Sequence, residues 1–168
     1  MRHLWTPWRS AYIQAKTEMG RCVFCEAAEG TADEKALLVY RGALCFVILN
    51  RFPYTSGHLM IAPYEHVSRL SQTDVSTTDE MMLLARYAEQ ILEDAYHPEG
   101  LNLGMNLGEA AGAGIEQHIH LHVLPRWKGD ANFMSTVGGT RVIPESLEIT
   151  YGKLQPRFAE IALLKERA

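Results

Sequence analysis

Residues 117–127 read QHIHLHVLPRW, in which His118, His120 and His122 alternate with Ile119, Leu121 and Val123. A β-strand turns successive side chains to opposite faces, so a strand here carries three imidazoles on one face and three aliphatics on the other. The aliphatic face must be buried; the imidazole face is left for chemistry. Imidazole titrates near about 6.5, so much of it is neutral and nucleophilic around neutral pH. Two plainer readings exist: a histidine-rich edge strand, or a strand made only of metal ligands. The strict alternation, with an apolar partner at every intervening position, argues against both.

The rest of the chain bounds what such a strand can serve. At 168 residues it is one domain by length, large enough to bury about two-thirds of its surface. A net charge of -4 and a pI near 6.0 exclude a generic surface for nucleic-acid polymers or anionic membranes, while leaving room for a local phosphate site. No apolar run is long enough to span a bilayer, and MRHLWTPWRS lacks the charged-then-apolar plan of a signal peptide. The expectation is a soluble, cytoplasmic protein. Of the three cysteines, Cys22 and Cys25 are separated by two residues, a spacing that in a reducing compartment means metal or redox chemistry. One such pair is half of a tetrahedral zinc shell. Cys45, in an apolar run, reads as core.

In chain order, Trp5, Pro7, Trp8 and Tyr12 are too aromatic for a disordered leader and fit a short helix through residues 8–16 with Thr6 as its cap. The connector 29–36 is rich in glycine and charge. LLVY and LCFVIL are strand runs separated by Arg41-Gly42-Ala43, a hairpin, and residues 58–65 supply a third strand after a Pro- and Gly-containing turn. Asn50 and His58 lie at strand ends, where loops hold functional groups against a rigid scaffold. Residues 64–70 fit one or two helical turns. A long helix follows, with Thr77 to Glu80 as capping box and Met81, Leu84, Ala85, Ala88, Ile91, Leu92 and Ala95 at helical spacing, ending at His97-Pro98. Leu101, Leu103, Met105 and Leu107 then alternate with Asn102, Gly104, Asn106 and Gly108, a fourth strand that should pair antiparallel with the histidine strand. Residues 144–165 read as a final helix interrupted near Pro156, with Ser146, Glu148 and Arg157 exposed.

HIHLHVL, together with NRFPYTSGHLMIAPYEHV upstream, NLGEAAGAG immediately before it and PRWKGDANFM after it, resembles the histidine triad family of nucleotidyl hydrolases and transferases. The resemblance covers about residues 36–145, flanked by an N-terminal aromatic and Cys-x-x-Cys segment, 1–35, and a C-terminal helical tail, 146–168. LWTPWR and VIPESLEITY are most similar to the branch that degrades diadenosine polyphosphates. The resemblance implies an α+β fold, a single domain with a five-stranded, mostly antiparallel sheet, one long helix packed on it and a C-terminal helix, and it implies a homodimer.

An α-phosphorus in a polyphosphate needs an in-line nucleophile and neutralisation of its oxygens. His120, the middle imidazole, is assigned as nucleophile, which agrees with the position the family uses. His122 can donate to a non-bridging oxygen, and His58 can join the same polar network. The glycine-punctuated loop ending in Gly112, Ala113 and Gly114 can form an anion-binding concavity. Family resemblance assigns Asn50 to the ribose hydroxyls and Asn106 to the phosphate chain. Gly114 stands where many relatives carry Gln or Ser. The same resemblance completes a structural zinc site from Cys22, Cys25, His66 and His118, and calls for no organic cofactor. The leading reading is an enzyme that cleaves dinucleoside polyphosphates at the α-phosphate. Adenosine phosphoramidate or another nucleotide conjugate is the alternative substrate, and a nucleotide-binding module without turnover is the third reading. The residues leave hydrolysis and phosphorolysis equally open.

Overall fold

The computed structural model describes residues 21–130, 137 and 143–165, with the side chains of the last helix described as far as residue 161. The expected helix of residues 8–16 and residues 131–136, 138–142 and 166–168 lie outside these. Helix α1 (Val23–Glu29) and the short α2 (Asp33–Ala36) lead into β1 (Leu38–Arg41), β2 (Cys45–Leu49) and β3 (Leu59–Pro63). Helix α3 (Val75–Tyr96), β4 (Gly100–Gly104), β5 (Leu121–Arg126) and α4 (Leu147–Lys165) complete the order. The five strands form one sheet, β1-β2-β3-β5-β4, in which every pairing is antiparallel. This is the expected α+β architecture.

Both central strands are buried along their whole length, so they read as continuous apolar runs. Cys45, Val47, Leu49, Leu59 and Ile61 meet Met81, Leu84, Ala88 and Leu92 of α3 and Leu154 and Phe158 of α4, with Ile119, Leu121 and Val123 on the same side. Phe46, Ile48, Met60 and Ala62 point the other way, where Phe24 and Ala27 of α1 cover them. Helix α1 is held there by Arg41, whose guanidinium donates to the carbonyls of Ala28 and Gly30, both at 2.7 Å, closing the C-terminal end of that helix from the end of β1.

Several local expectations are corrected. The connector 29–36 holds one short helix, α2, and α1 runs through the Cys-x-x-Cys segment up to its first residue. Residues 64–69 form no helix, because His66 turns to the cysteines and the Val67 carbonyl takes the N–H of Ile119 at 2.8 Å; only a 3-10 turn, Leu70–Gln72, follows. Helix α3 starts at Val75, capped by Asp74, so Thr77 is buried within it. Glu80 does not reach back to cap its own helix. Its carboxylate accepts the N–H groups of Ala43 and Cys45, both at 2.9 Å, and that of Leu44, bracing the β1–β2 turn. Gly42 makes room, since a Cβ there would lie 2.7 Å from the carboxylate. Strand β4 stops at Gly104; Leu103 within it and Leu107 beyond it are exposed. Helix α4 is continuous through Pro156, whose missing N–H leaves the carbonyl of exposed Gly152 to water, and Arg157 is half-buried. No helix among the described residues is long and apolar enough to cross a membrane.

Candidate active site and metal cluster

Strand β5 begins only at Leu121, so His122 alone of the three histidines lies in a ladder, opposite Met60 of β3 and Gly104 of β4. His118 and His120 sit in the extended approach to it. The alternation nevertheless holds: Ile119, Leu121 and Val123 enter the core while all three imidazoles point to the other face, and all three are buried. Helix α1 covers His118 and His120 through Phe24, a contact the sequence pattern left open.

The rings do not form a simple row. His118 packs edge-on against His66, with centroids 5.2 Å apart, and Phe24 then stands between His118 and His120, with centroid distances of 5.1 and 4.8 Å. His120 meets His122 at 4.8 Å, His122 meets His58 at 5.1 Å, and His58 meets Tyr54 at 4.7 Å. Seven rings thus run from the cysteines to the exposed Tyr54.

Their hydrogen bonds set the tautomers. A backbone carbonyl only accepts, so the 2.9 Å contact from His120 Nδ1 to the His118 oxygen places a proton on Nδ1 and leaves Nε2 with its lone pair. His58 Nδ1 accepts the Tyr54 N–H at 3.1 Å, so its proton is on Nε2 and is donated to His122 Nδ1 at 2.9 Å. His122 therefore carries its own proton on Nε2. One imidazole offers a lone pair and its neighbour offers an N–H. Burial holds His120 below the usual imidazole range, and burial with His120 alongside pushes His122 down to about 4, so both are neutral near pH 7.

Asn50 is half-buried beside this network. Its Oδ1 accepts the Phe52 N–H at 2.9 Å and its Nδ2 lies 3.3 Å from His58 Nδ1. The carbonyl oxygen keeps a second lone pair for a ligand hydroxyl. The glycine loop is a compact turn around the 3-10 segment Glu109–Ala111: Gly108 and Gly112 both have φ of 87°, a left-handed conformation that favours glycine. The N–H groups of Gly112 and Ala113 are taken by the carbonyls of Glu109 and Gly108, so two of the three residues expected to cradle phosphate use their donors inside the loop. Asn106 reaches the Gly112 carbonyl at 3.5 Å and braces the loop from β4.

On the other side of Phe24, the ligand atoms of Cys22, Cys25, His66 and His118 lie within 4.8 Å of one another. Cys22 Sγ is 3.4 Å and Cys25 Sγ 3.7 Å from His118 Nδ1, and Cys25 Sγ is 3.2 Å from His66 Nδ1. Tetrahedral zinc, with Zn–S about 2.3 Å and Zn–N about 2.0–2.1 Å, separates S and N ligands by about 3.5 Å, so the donor set fits. His118 Nε2–H donates to the Pro63 carbonyl at 2.9 Å, which aims Nδ1 at the cysteines. Burial, then the neighbouring Cys22, pushes the Cys25 thiol up to about 11. A closed shell of four side chains leaves no position for substrate.

The structure brings together His58, His120 and His122, with Asn50 against His58, and separately the four metal-type residues. Sequence reasoning missed Phe24, the Tyr54 N–H that sets the His58 tautomer, and the Pro63 carbonyl that turns His118. Phe24 had a visible signal, since an aromatic between two ligand cysteines must pack near whatever they hold.

Fold and site define a histidine triad protein: the HIT domain family profile matches residues 31–129, and the chain belongs to that family. Within it, the chain is 37% identical over 167 residues to the AP-4-A phosphorylase of Mycobacterium tuberculosis, spanning 95% of this chain and 85% of that protein. It is 30% identical over 123 residues to the adenylylsulfatase HINT3 of Arabidopsis thaliana, spanning 73% of this chain and 61% of that one. Among solved structures it is similar to a Zn-bound histidine triad family protein from Mycobacterium smegmatis, with a TM-score of 0.66, 28% identity, and coverage of 85% of this chain and 96% of the other.

Proposed function

We propose that this protein cleaves dinucleoside polyphosphates such as diadenosine tetraphosphate at the α-phosphate, through a covalent nucleotidyl intermediate on His120. It is an enzyme, a nucleotidyl hydrolase or phosphorylase of the histidine triad family. The observation that carries the mechanism is the pair of opposite tautomers. His120 Nε2, held with its lone pair free by the Nδ1–H bond to the His118 carbonyl, attacks the α-phosphorus as the bond to the departing polyphosphate oxygen breaks. His122 Nε2–H, oriented by His58, donates to a non-bridging oxygen where charge gathers. An oxygen of water or inorganic phosphate then breaks the P–N bond, releasing AMP or ADP and restoring His120. Asn50 Oδ1 accepts from a ribose hydroxyl. The loop from Asn106 through Gly112, Ala113 and Gly114 lines the phosphate chain, its contact made by Gly114 and by water, since the inner donors are already taken.

Zinc on Cys22, Cys25, His66 and His118 acts as a structural cross-link between α1, the segment after β3 and the triad approach. The whole chain works as one domain and as a homodimer in the cytoplasm. Strand β4 is a sheet edge with Leu103 exposed on it and Leu107 exposed just beyond its end, which favours pairing of two sheets, and a reducing compartment keeps the two cysteines as ligands.

The test is product analysis on diadenosine tetraphosphate, with and without phosphate. ADP plus ATP appearing only with phosphate means phosphorolysis, and AMP plus ATP without it means hydrolysis. No turnover overturns the substrate reading, and release of sulfate from an adenosine phosphosulfate instead replaces it with the activity named for the Arabidopsis relative.

A further inference from the structure

We infer that Phe24 is the positioning residue through which the cysteine–histidine cluster holds the His120 ring in line. His120 has one in-plane anchor, the Nδ1–H bond to the His118 carbonyl. That bond sets the tautomer but leaves the ring free to swing about it, so the direction of the Nε2 lone pair depends on what meets the ring faces. Two rings meet it, each with its centroid 4.8 Å away: His122, at 77° between planes, and Phe24, tilted by 42°. Phe24 is 1% exposed and also touches Phe46 and His118, so it cannot yield easily. It belongs to the same helical turn as the two cysteines: Cys22 caps α1 and Cys25 follows Phe24 directly. Wherever the cluster holds that turn, it holds the ring. The cluster and the nucleophile therefore share one rigid part, and Phe24 is the piece facing both.

This rests on the nucleophile assignment above, and the experiment separates the two. Wild type, Phe24→Ala, Cys25→Ser and the double variant are compared for zinc content, for the rate of covalent nucleotidylation in a single turnover on diadenosine tetraphosphate, and for the NMR signal of the His120 Nδ1–H proton. Phe24→Ala is expected to keep zinc and to lower the nucleotidylation rate by about ten- to a hundredfold, as for a reacting atom displaced by about 1 Å. KM should change much less, and Phe24→Leu should recover most of the rate. Cys25→Ser should lower the rate and broaden the Nδ1–H signal in wild type, yet change either by less than about threefold once Phe24 is Ala. Fully additive losses would overturn the inference, because cluster and ring would then act independently. A raised KM with unchanged kcat would overturn it too, making Phe24 a ligand contact. If Phe24→Ala does not fold, the same cycle with Phe24→Val, which also falls short of the His120 ring, gives the answer. If wild type transfers no nucleotide, the function reading fails, while the response of the Nδ1–H signal to a zinc chelator, compared between wild type and Phe24→Ala or Phe24→Val, still decides the coupling.

Discussion

Replacing His58 by Phe tests the tautomer argument directly. His58 is 1% exposed, so phenylalanine keeps the aromatic volume while removing the acceptor for the Tyr54 N–H, the contact with Asn50 Nδ2 and the Nε2–H donor to His122 Nδ1. Without that donor, His122 either leaves a buried Nδ1 unpaired or moves its proton to Nδ1, which turns its Nε2 from a donor into an acceptor facing the phosphate oxygens. Leaving a buried group unpaired costs about 1–3 kcal/mol, and the slightly larger ring adds about 1 kcal/mol of overpacking, for a total of about 2–4 kcal/mol. At roughly 2–4 °C per kcal/mol for a chain of this size, the melting temperature should fall by about 4–16 °C. Loss of one preorganised donor on the reacting oxygen should lower the nucleotidylation rate by about 10²–10³-fold. The assay is single-turnover transfer at a temperature where circular dichroism shows both proteins folded. In a His122→Ala background the His58 change should cost under about tenfold, since its role is exerted through His122. A near-normal rate in His58→Phe, or equal losses in both backgrounds, would refute the reasoning.

Three other expectations follow from the same geometry. Cys22→Ser with Cys25→Ser should abolish bound zinc, measured by elemental analysis, and lower the melting temperature with it; an unchanged melting temperature would mean that no metal holds α1. Glu80→Gln should lose about 1–3 kcal/mol in urea unfolding, because an amide retains one acceptor oxygen but presents an NH₂ to N–H donors of the β1–β2 turn, while nucleotidylation by the folded protein stays normal. Acid should destabilise the fold through His122: its folded pKa is pushed down to about 4, while an unfolded imidazole titrates near about 6.5, so the unfolded chain binds more protons between these values. The contribution of neutral His122 is fully present above about pH 6.5 and is lost as pH falls through about 4, and a His122→Phe variant should show a flatter dependence of the urea midpoint on pH over that window.

Short-period features were legible in the residues because a strand or helix imposes its period locally. Alternation across 118–123 gave the two faces, and the spacing from Met81 to Leu92 gave the buried stripe of α3. The hairpin and the pairing of β4 with β5 followed from turn residues and strand runs. What failed was decided by partners distant in sequence. Glu80 looked like the end of a capping box, yet its carboxylate is claimed by N–H groups at the β1–β2 turn. Residues 64–69 looked helical, yet the Val67 carbonyl is taken by Ile119. The spacing of the three histidines singled out His120 only as the middle one and did not show which nitrogen of each ring carries the proton. His118 turns its Nδ1 to the cysteines because the Pro63 carbonyl takes its Nε2–H, and His120 keeps a lone pair on Nε2 because the His118 carbonyl takes its Nδ1–H. His122 becomes a donor because His58, 64 positions away, supplies a proton to its Nδ1. Spacing along the chain sets which face an imidazole occupies; only the acceptors and donors brought to it by folding decide which of its two nitrogens keeps the proton.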